Sequence, residues 1–322
     1  MTVSVCMGIY NGEKYIEKQL QTILRQSKPA DEVILCDDGS SDATIDIVKR
    51  FIRNNKLEKN WKLYQNPENK GYPGNFYYAM SLCTQDVVFL ADQDDIWDAT
   101  KIEKMCDILE RYAEVNLISC KFGLIDAEDN KIHTIMQPTR SSGTTSCKQI
   151  DINQVFYKYE WPGMVVAYRN MWYNNKLRER KIEISKITIP HDFLICAWAA
   201  EESFFLQMDI GLAYHRRHES NVGGEEHRIR KLLNREGKLE EISKYIQLLE
   251  AFELNKVLTE TEALIALKDK QEVMMSRQEA LKKRSFFSVI RNAMKYRKEI
   301  RWSTVVCDLI LVLRKNDNIT RS

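Results

Sequence analysis

Over its first hundred residues the chain alternates short apolar runs with longer segments whose apolar positions recur every three to four residues. Residues 3–7 form such a run and read as a buried strand. In 12–26 the apolar positions Tyr15, Ile16, Leu20, Ile23 and Leu24 share one helical face. A second apolar strand follows at 33–36. Ser40 or Ser41 then suits the cap of a helix carrying Ile45, Val48, Phe51 and Ile52. Residues 61–65 read as a third strand, 74–82 as a helix and 87–91 as a fourth strand. This βαβαβαβ order predicts an α/β fold, a mostly parallel sheet with helices on both faces. Ligands of such sheets bind beyond the C-terminal ends of the strands.

The later pattern is less regular. Residues 98–113 read as a helix and 117–122 as a strand. The polar stretch 126–148, with Pro138 and Ser141-Ser142-Gly143, reads as loops or a hairpin. Residues 163–168 suggest another strand, 191–200 the start of a helix and 209–215 a last strand. Beyond 225 the pattern is helical, and 239–254 and 258–275 resemble a helical hairpin. A first domain over 1–225 and a helical region over 226–322 are expected.

Composition sharpens this picture in three places. The net charge of +2 conceals a division: residues 281–322 hold 11 Lys and Arg against 3 Asp and Glu, and the rest holds 37 against 43. In that tail, basic residues such as Lys282, Lys283, Arg284, Arg291, Lys295 and Arg301 alternate with Phe286, Phe287, Ile290, Met294 and Trp302. A basic amphipathic helix with aromatic residues suits an anionic membrane surface. No nucleic-acid-binding motif accompanies the charge, so nucleic acid is not the expected partner. The eight cysteines show no CxxC spacing and several sit in apolar runs, so free buried thiols and a reducing cytoplasm are expected. The first residues read as a strand, not as a secretory leader. No run approaches the roughly 18 apolar residues of a membrane span. The protein is therefore expected in the cytoplasm, peripheral on the inner face of the membrane.

Three acidic clusters fall just after predicted strands or at a helix start. Asp37-Asp38-Gly39-Ser40-Ser41-Asp42 makes a tight turn whose carboxylates can accept a base imide proton or a ribose hydroxyl, and the same residue types suit a helix cap. Asp92-Gln93-Asp94-Asp95 sets three carboxylates within four residues. They repel unless a cation sits among them, and Mg²⁺ or Mn²⁺ prefers such oxygen ligands and shares them with phosphates. An acidic loop before a helix is the plainer reading. His191-Asp192 starts a helix, where Asp192 can act as general base toward a hydroxyl or simply cap. Downstream, Tyr214-His215-Arg216-Arg217-His218 offers histidines for a metal and arginines for a diphosphate, or a solvated basic loop.

In this order the motifs resemble a family-2 glycosyltransferase of the GT-A fold. The residues that carry the resemblance are Val3-Ser4-Val5 with Tyr10-Asn11-Gly12-Glu13; Asp37-Asp38-Gly39-Ser40-Ser41-Asp42; Asn69-Lys70-Gly71 with Gly74-Asn75-Phe76; Asp92-Gln93-Asp94-Asp95-Ile96-Trp97; His191-Asp192; and Arg217-His218-Glu219-Ser220-Asn221. The Asp-Gln-Asp-Asp-x-Trp form is similar to bacterial rhamnosyltransferase-like members that build surface polysaccharides. The resemblance implies a donor half over about 1–100 and an acceptor half over about 100–225. It implies that Tyr10 stacks on the donor base and that Asp37 or Asp38 binds base or ribose. Asn11, Glu13, Lys70, Gly71, Asn75, Asp92 and Gln93 join the donor site. Asp92 and Asp94 hold Mg²⁺ or Mn²⁺, with Asp94 the more direct ligand and His218 touching metal or diphosphate. Asp192 is the base of a single inverting displacement. Trp161, Gly163, Met164 and His191 lie on the acceptor side. Gly8-Ile9 replaces the family's usual Pro-Thr, and Trp161-Pro162-Gly163-Met164 departs from its commoner acceptor pattern. Expected partners are a nucleotide-sugar donor (dTDP-rhamnose or a UDP-hexose) and a saccharide or lipid-linked acceptor, with self-association left open. Two other classes compete. A sugar nucleotidyltransferase would need an Arg-containing phosphate loop where Gly8–Gly12 has none, and a non-catalytic binding module would leave the three acidic clusters unexplained.

Overall fold

The computed structural model describes residues 1–132, 146–158, 160–218, 234–297 and 299–314, which group into two compact units, Met1–Arg217 and His218–Ser322. Pro138, Ser141-Ser142-Gly143 and Glu219-Ser220-Asn221 lie outside the described residues.

The first unit opens with β1 (Val3–Ile9), α1 (Ile16–Leu24), β2 (Glu32–Asp37), α2 (Thr44–Asn54), β3 (Trp61–Gln65), α3 (Gly71–Ser81) and β4 (Val87–Asp92). Strands β1, β2 and β4 are almost wholly buried, because helices cover both faces, and this is why they read as unbroken apolar runs, whereas the edge strand β3 buries only Trp61. Then come β5 (Ile96–Trp97), α4 (Lys101–Arg111), β6 (Leu117–Ile125), β7 (Lys131–Ile132), β8 (Cys147–Gln149), α5 (Ile152–Lys158), β9 (Val166–Arg169), α6 (Asn170–Glu179), α7 (His191–Glu201) and β10 (Phe205–Arg216). The strand order is β3-β2-β1-β4-β9-β6-β10-β5, with β7 beside β6 and β8 beside β10. The sheet is parallel from β3 to β4 and again between β6 and β10, and β9 runs antiparallel between those halves. The fold is thus α/β of the expected kind, with mixed rather than uniform strand direction. The reversal of chain order between β1 and β4 creates the crevice in which such sheets bind ligands.

Two local expectations shift. The second helix begins at Thr44, not after the serines: Ser40 Oγ accepts from the Asn11 N–H and the Ser41 N–H donates to Asn11 Oδ1. Asn11 has φ 46°, a left-handed conformation that Asn tolerates better than most side chains. The third helix, expected over 74–82, starts at Gly71 with Pro73 in its first turn, where a missing N–H costs nothing.

Helix α7 is buried over ten successive residues, His191 to Ala200. A helix apolar on every side belongs in a core. Phe193, Leu194 and Ile195, all fully buried, each contribute about 1.5–3 kcal/mol. The start of α7, with His191 and Asp192, is therefore anchored far better than a surface loop would be.

The second unit holds α8 (Arg235–Leu254), α9 (Thr261–Lys282), α10 (Phe286–Lys295) and α11 (Trp302–Leu313). Helices α8 and α9 pack together, and Ile242, Ile246 and Leu249 of the one and Ala266, Val273 and Met274 of the other are buried. Arg277 of α9 grips Asp308 of α11 through Nε and Nη2 at 2.8 and 3.0 Å, and both side chains are buried. Among the described residues no helix is long and apolar enough to cross a membrane. All eight cysteines are free, six of them buried.

Candidate active site

The strand register brings the first two acidic clusters to one level. Asp37 of β2 pairs with Ile9 and Asp92 of β4 with Gly8, so both carboxylates flank the end of β1. Gly39, at φ +89°, lets the chain turn back sharply enough for its own N–H and that of Ser40 to donate to Asp37 Oδ2 at 3.0 and 3.1 Å. The other oxygen, Oδ1, is buried and has no protein donor. Asp38 is bound internally: its Oδ1 accepts from Asn66 Nδ2 and the Lys70 N–H, both at 2.8 Å. Asn75 completes this network, receiving Asn66 Nδ2 and donating to the Cys36 carbonyl. Gly71, at φ +71°, is held by Asn69 Oδ1. Of the two aspartates, Asp37 keeps the open acceptor. Tyr10 is half exposed beyond β1, its ring available for stacking. Glu13 binds the start of α2 through the Ala43 N–H.

The acidic run divides into three environments. Asp95 is fully buried, and its Oδ1 accepts from the Arg216 N–H at 3.0 Å and contacts His215 Nδ1 at 3.1 Å. Burial alone would lower the His215 pKa, but its bond to Asp95 and the field of Asp95, Asp92 and Asp94 raise it. Burial and the neighbouring Asp95 and Asp94 carboxylates push the Asp92 pKa well up. Asp94 lends its carbonyl to Arg216 Nε at 2.7 Å. Arg216, almost fully buried, also binds the Asp126 carbonyl and the Asp129 carboxylate and stacks 4.6 Å from the Tyr15 ring centroid. Gln93 faces Tyr10 rather than the acids.

These residues fit a hard divalent cation. Asp95 Oδ2 is buried without a donor, and the field that raises the Asp92 pKa is the repulsion a cation relieves. Among the described residues no group of three or more His, Cys, Asp or Glu forms a complete metal cage. A cation that takes one or two carboxylates and completes its shell with phosphates and water needs none. His218 opens the second unit, whereas Asp92 and Asp94 belong to the first.

The third cluster sits at the head of α7. Asp192 Oδ2 accepts from the Gly163 N–H at 3.1 Å and Oδ1 from the Phe193 N–H at 2.8 Å. The positive end of the helix dipole favours a carboxylate there. Asp192 lies close enough to Asp92 to add to the rise in its pKa. His191 is fully buried and stacks on Phe76 with centroids 3.9 Å apart, between Tyr72 and Tyr77. Both its ring nitrogens lack partners, and burial pulls its pKa down to about 4. A Cβ on Gly163 would stand 3.0 Å from His191 Nε2, so Gly163 is small because the ring lies against it. Trp161 is buried edge-on to Phe205, its Nε1 unpaired. Met164 follows Gly163 in a 3₁₀ turn, Gly163–Val165.

Sequence reasoning did not single out Asn66, Tyr72 or Lys101. Tyr72, half exposed beside His191, carried a signal in its place next to Asn69-Lys70-Gly71. Lys101, fully buried under Trp97, carried none.

Comparisons with known proteins agree with this geometry. The family model of glycosyl transferase family 2 matches residues 4–192. EpsE of Bacillus subtilis, itself assigned to the glycosyltransferases, is 34% identical over 116 residues, 36% of this chain and 41% of its own. The Escherichia coli UDP-Glc:α-D-GlcNAc-diphosphoundecaprenol β-1,3-glucosyltransferase WfgD is 30% identical over 128 residues, 40% of this chain and 47% of its own. In these matches the chain spans less than half the length of each relative. Among solved structures, Staphylococcus aureus TarS 1–349 in complex with UDP-GlcNAc superposes with a TM-score of 0.55 at 19% identity, covering 97% of this chain and 90% of that one. A mannosyltransferase from Pyrobaculum calidifontis, bound to GDP-Man and Mn²⁺, does so at 0.51 and 16%, covering 97% and 86%. At these identities the structural likeness shows the GT-A fold. Together with the family match over more than half its length, it establishes that the chain belongs to glycosyl transferase family 2.

Proposed function

We propose that this protein transfers a sugar from a nucleoside-diphosphate donor to a hydroxyl of a saccharide or lipid-linked acceptor, with inversion, in the synthesis of a bacterial surface polysaccharide. The observation that carries the reading is the convergence of Asp37, Asp92 and Asp192: two carboxylates level at the end of β1, and a third near enough to perturb one of them. On this reading residues 1–225 are the catalytic domain, with the donor half over about 1–100.

Each group then has a task its surroundings suit. Tyr10 stacks on the base, and the open Oδ1 of Asp37 accepts its imide proton or a ribose hydroxyl. Asn66, Lys70, Gly71 and Asn75 hold Asp38 and the turn below the nucleotide. Asp92 and Asp94 would hold Mg²⁺ or Mn²⁺, which when bound stabilises charge on the departing diphosphate. Asp192 takes the acceptor proton as its hydroxyl attacks the anomeric carbon. Trp161, Gly163, Met164 and His191 shape the acceptor side. The relatives WfgD, named for a UDP-Glc donor and a diphosphoundecaprenol-linked acceptor, and TarS, bound to UDP-GlcNAc, support a UDP-hexose and a lipid-linked or polymeric acceptor. The Asp-Gln-Asp-Asp-x-Trp run supports dTDP-rhamnose as the other donor to try.

The second unit supports a place at the cytoplasmic face of the membrane. Trp302, Val306, Ile310 and Leu313 are exposed at one-turn spacing along α11, and Phe287 and Met294 are exposed on α10. The acid of α11, Asp308, is turned inward onto Arg277, while Lys282, Arg284, Arg291 and Arg301 remain on the surface. An apolar stripe edged by cations suits anionic headgroups, each nearby cation adding about 1 kcal/mol.

The deciding experiment screens UDP-, dTDP- and GDP-sugars by thermal shift with Mg²⁺ or Mn²⁺, followed by NMR of the product of any donor that binds. No stabilisation by any donor, with or without metal, would remove the reading. A product with the donor's anomeric configuration would remove the single displacement.

A further inference from the structure

We infer that Lys101 is a positioning residue for the transfer: by holding the Met164 carbonyl it fixes the turn whose Gly163 N–H binds Asp192. The inference rests on the glycosyltransferase reading.

Lys101 is the first residue of α4 and is fully buried. Local structure does not favour it there. A cation in the first turn meets the wrong end of the helix dipole. Taking an ammonium out of water costs several kcal/mol, and burial accordingly pulls its pKa down to about 7, against the field of nearby Asp95 and Asp92. Helix α4 has no need of this lysine, since Ile102, Met105, Cys106 and Leu109 already supply its buried face.

Its contacts show what the ammonium joins. Nζ lies 3.4 Å from the ring centroid of Trp97, two residues beyond Asp95. The same Nζ donates to the carbonyl of Met164. Met164 is the middle residue of the turn Gly163–Val165, whose first N–H binds Asp192 Oδ2 at 3.1 Å. The turn has little slack on its other side, where Gly163 lies against His191 and Leu90. One buried cation thus spans the segment behind the donor carboxylates and the segment that aims the base. Lys101 touches neither substrate nor reacting atom on this geometry; it sets where Asp192 stands.

A purely structural lysine makes a different prediction. Buried ionic groups replaced by apolar ones of similar volume often leave stability unchanged or raised. Lys101→Met should therefore fold, and if the lysine serves only the core it should keep full turnover. The test compares wild type, K101M and K101Q, using the donor–acceptor pair that the screen identifies and calorimetric donor binding. For K101M we expect kcat to fall about 10- to 100-fold, the scale of a misplaced catalytic group. Donor Kd should stay within about threefold, because the loss is on the acceptor side. K101Q, which keeps an N–H for the Met164 carbonyl, should recover part of kcat. Full kcat in K101M would overturn the inference. So would a loss of donor affinity matching the loss of rate, a K101Q no better than K101M, or a K101Q that does not fold. If wild type transferred nothing from any donor, the functional reading itself would fall, which is a separate result from an active wild type with an equally active K101M.

Discussion

The side-chain amide of Gln93 closes a two-bond ring on the main chain of Tyr10, 83 positions earlier: Oε1 accepts from the Tyr10 N–H and Nε2 donates to its carbonyl, both at 2.9 Å. The acidic run and Tyr10 are thereby tied together. Gly12 makes room for it, since a Cβ there would lie 2.4 Å from Gln93 Oε1.

Gln93→Ala should weaken donor binding without touching the metal ligands. Two hydrogen bonds at about 1 kcal/mol each correspond to roughly a 10- to 30-fold rise in donor Kd. Gly12→Ala should do the same by pushing the amide aside. Calorimetric titration of the donor checks both, and unchanged affinity in the pair would remove Gln93 from the donor site.

Neighbouring aspartates of the acidic run should fail in different ways. Asp94→Ala should lower transfer at least about 100-fold with the fold intact, as loss of a metal ligand does. Asp95→Ala strands His215 and the Arg216 N–H, and should cost roughly 3 kcal/mol of stability. Denaturant melts beside activity assays separate the two, and an Asp94→Ala variant active in EDTA would remove the metal role.

Asp192→Asn should cut turnover by about 10²- to 10⁴-fold and leave donor affinity almost unchanged, since a general base acts on the acceptor. Because both carboxylate oxygens receive backbone N–H groups, the amide also loses one of those bonds, and a melt should show a modest fall in stability. Equal losses in donor binding and rate would place Asp192 in the donor site.

His191 makes the fold sensitive to acid. The unfolded chain takes up its proton near 6.5, the folded one only near 4. Between those values the unfolded state holds more protons, so stability falls as pH drops from about 6.5 to 4 and levels off below, by about 3 kcal/mol in all. His191→Phe, which keeps the stack on Phe76 and loses only nitrogens without partners, should flatten that part of the profile. Urea melts of both proteins from pH 7 to 4 check it, and parallel profiles would contradict the burial of a neutral imidazole.

The triple variant F287S/W302S/I310S should leave the helical unit folded, because all three side chains are exposed. It should lose co-sedimentation with vesicles of anionic phospholipid at low salt. Retained binding, or no binding by wild type, would remove the membrane surface from the proposal.

The parts of this fold that were legible in sequence are those whose pattern is local. Strands β1, β2 and β4 are buried on both faces and read as apolar runs, and Asp37 and Asp92 read as candidates because each closes such a run. What stayed hidden depends on partners far along the chain. Helix α6, with Asn170, Asn174 and Asn175, has a composition that local rules give to loops, and tertiary packing of Trp172 and Tyr173 decides it. The direction of β9 depends on β4 and β6, and nothing in Val166–Arg169 records it. Lys101 at a helix start reads as a solvated lysine until Trp97 and Met164 close over it. The difference between Asp94 and Asp95 follows from His215 and Arg216, more than a hundred positions later.

That last separation bears on how the protein is made. Asp95 leaves the ribosome 120 residues before His215, its partner at 3.1 Å. At about 5–20 residues per second, β1 to β4 are available for several seconds while β10 does not yet exist. During that interval the sheet lacks β10 beside β6, and the Asp95 carboxylate has neither the imidazole nor the Arg216 N–H. A nascent chain stalled before residue 216 therefore carries an acidic loop that cannot close. The final strand of the first unit acts as a latch, and the acidic run gains its finished form only when His215 and Arg216 have been synthesised.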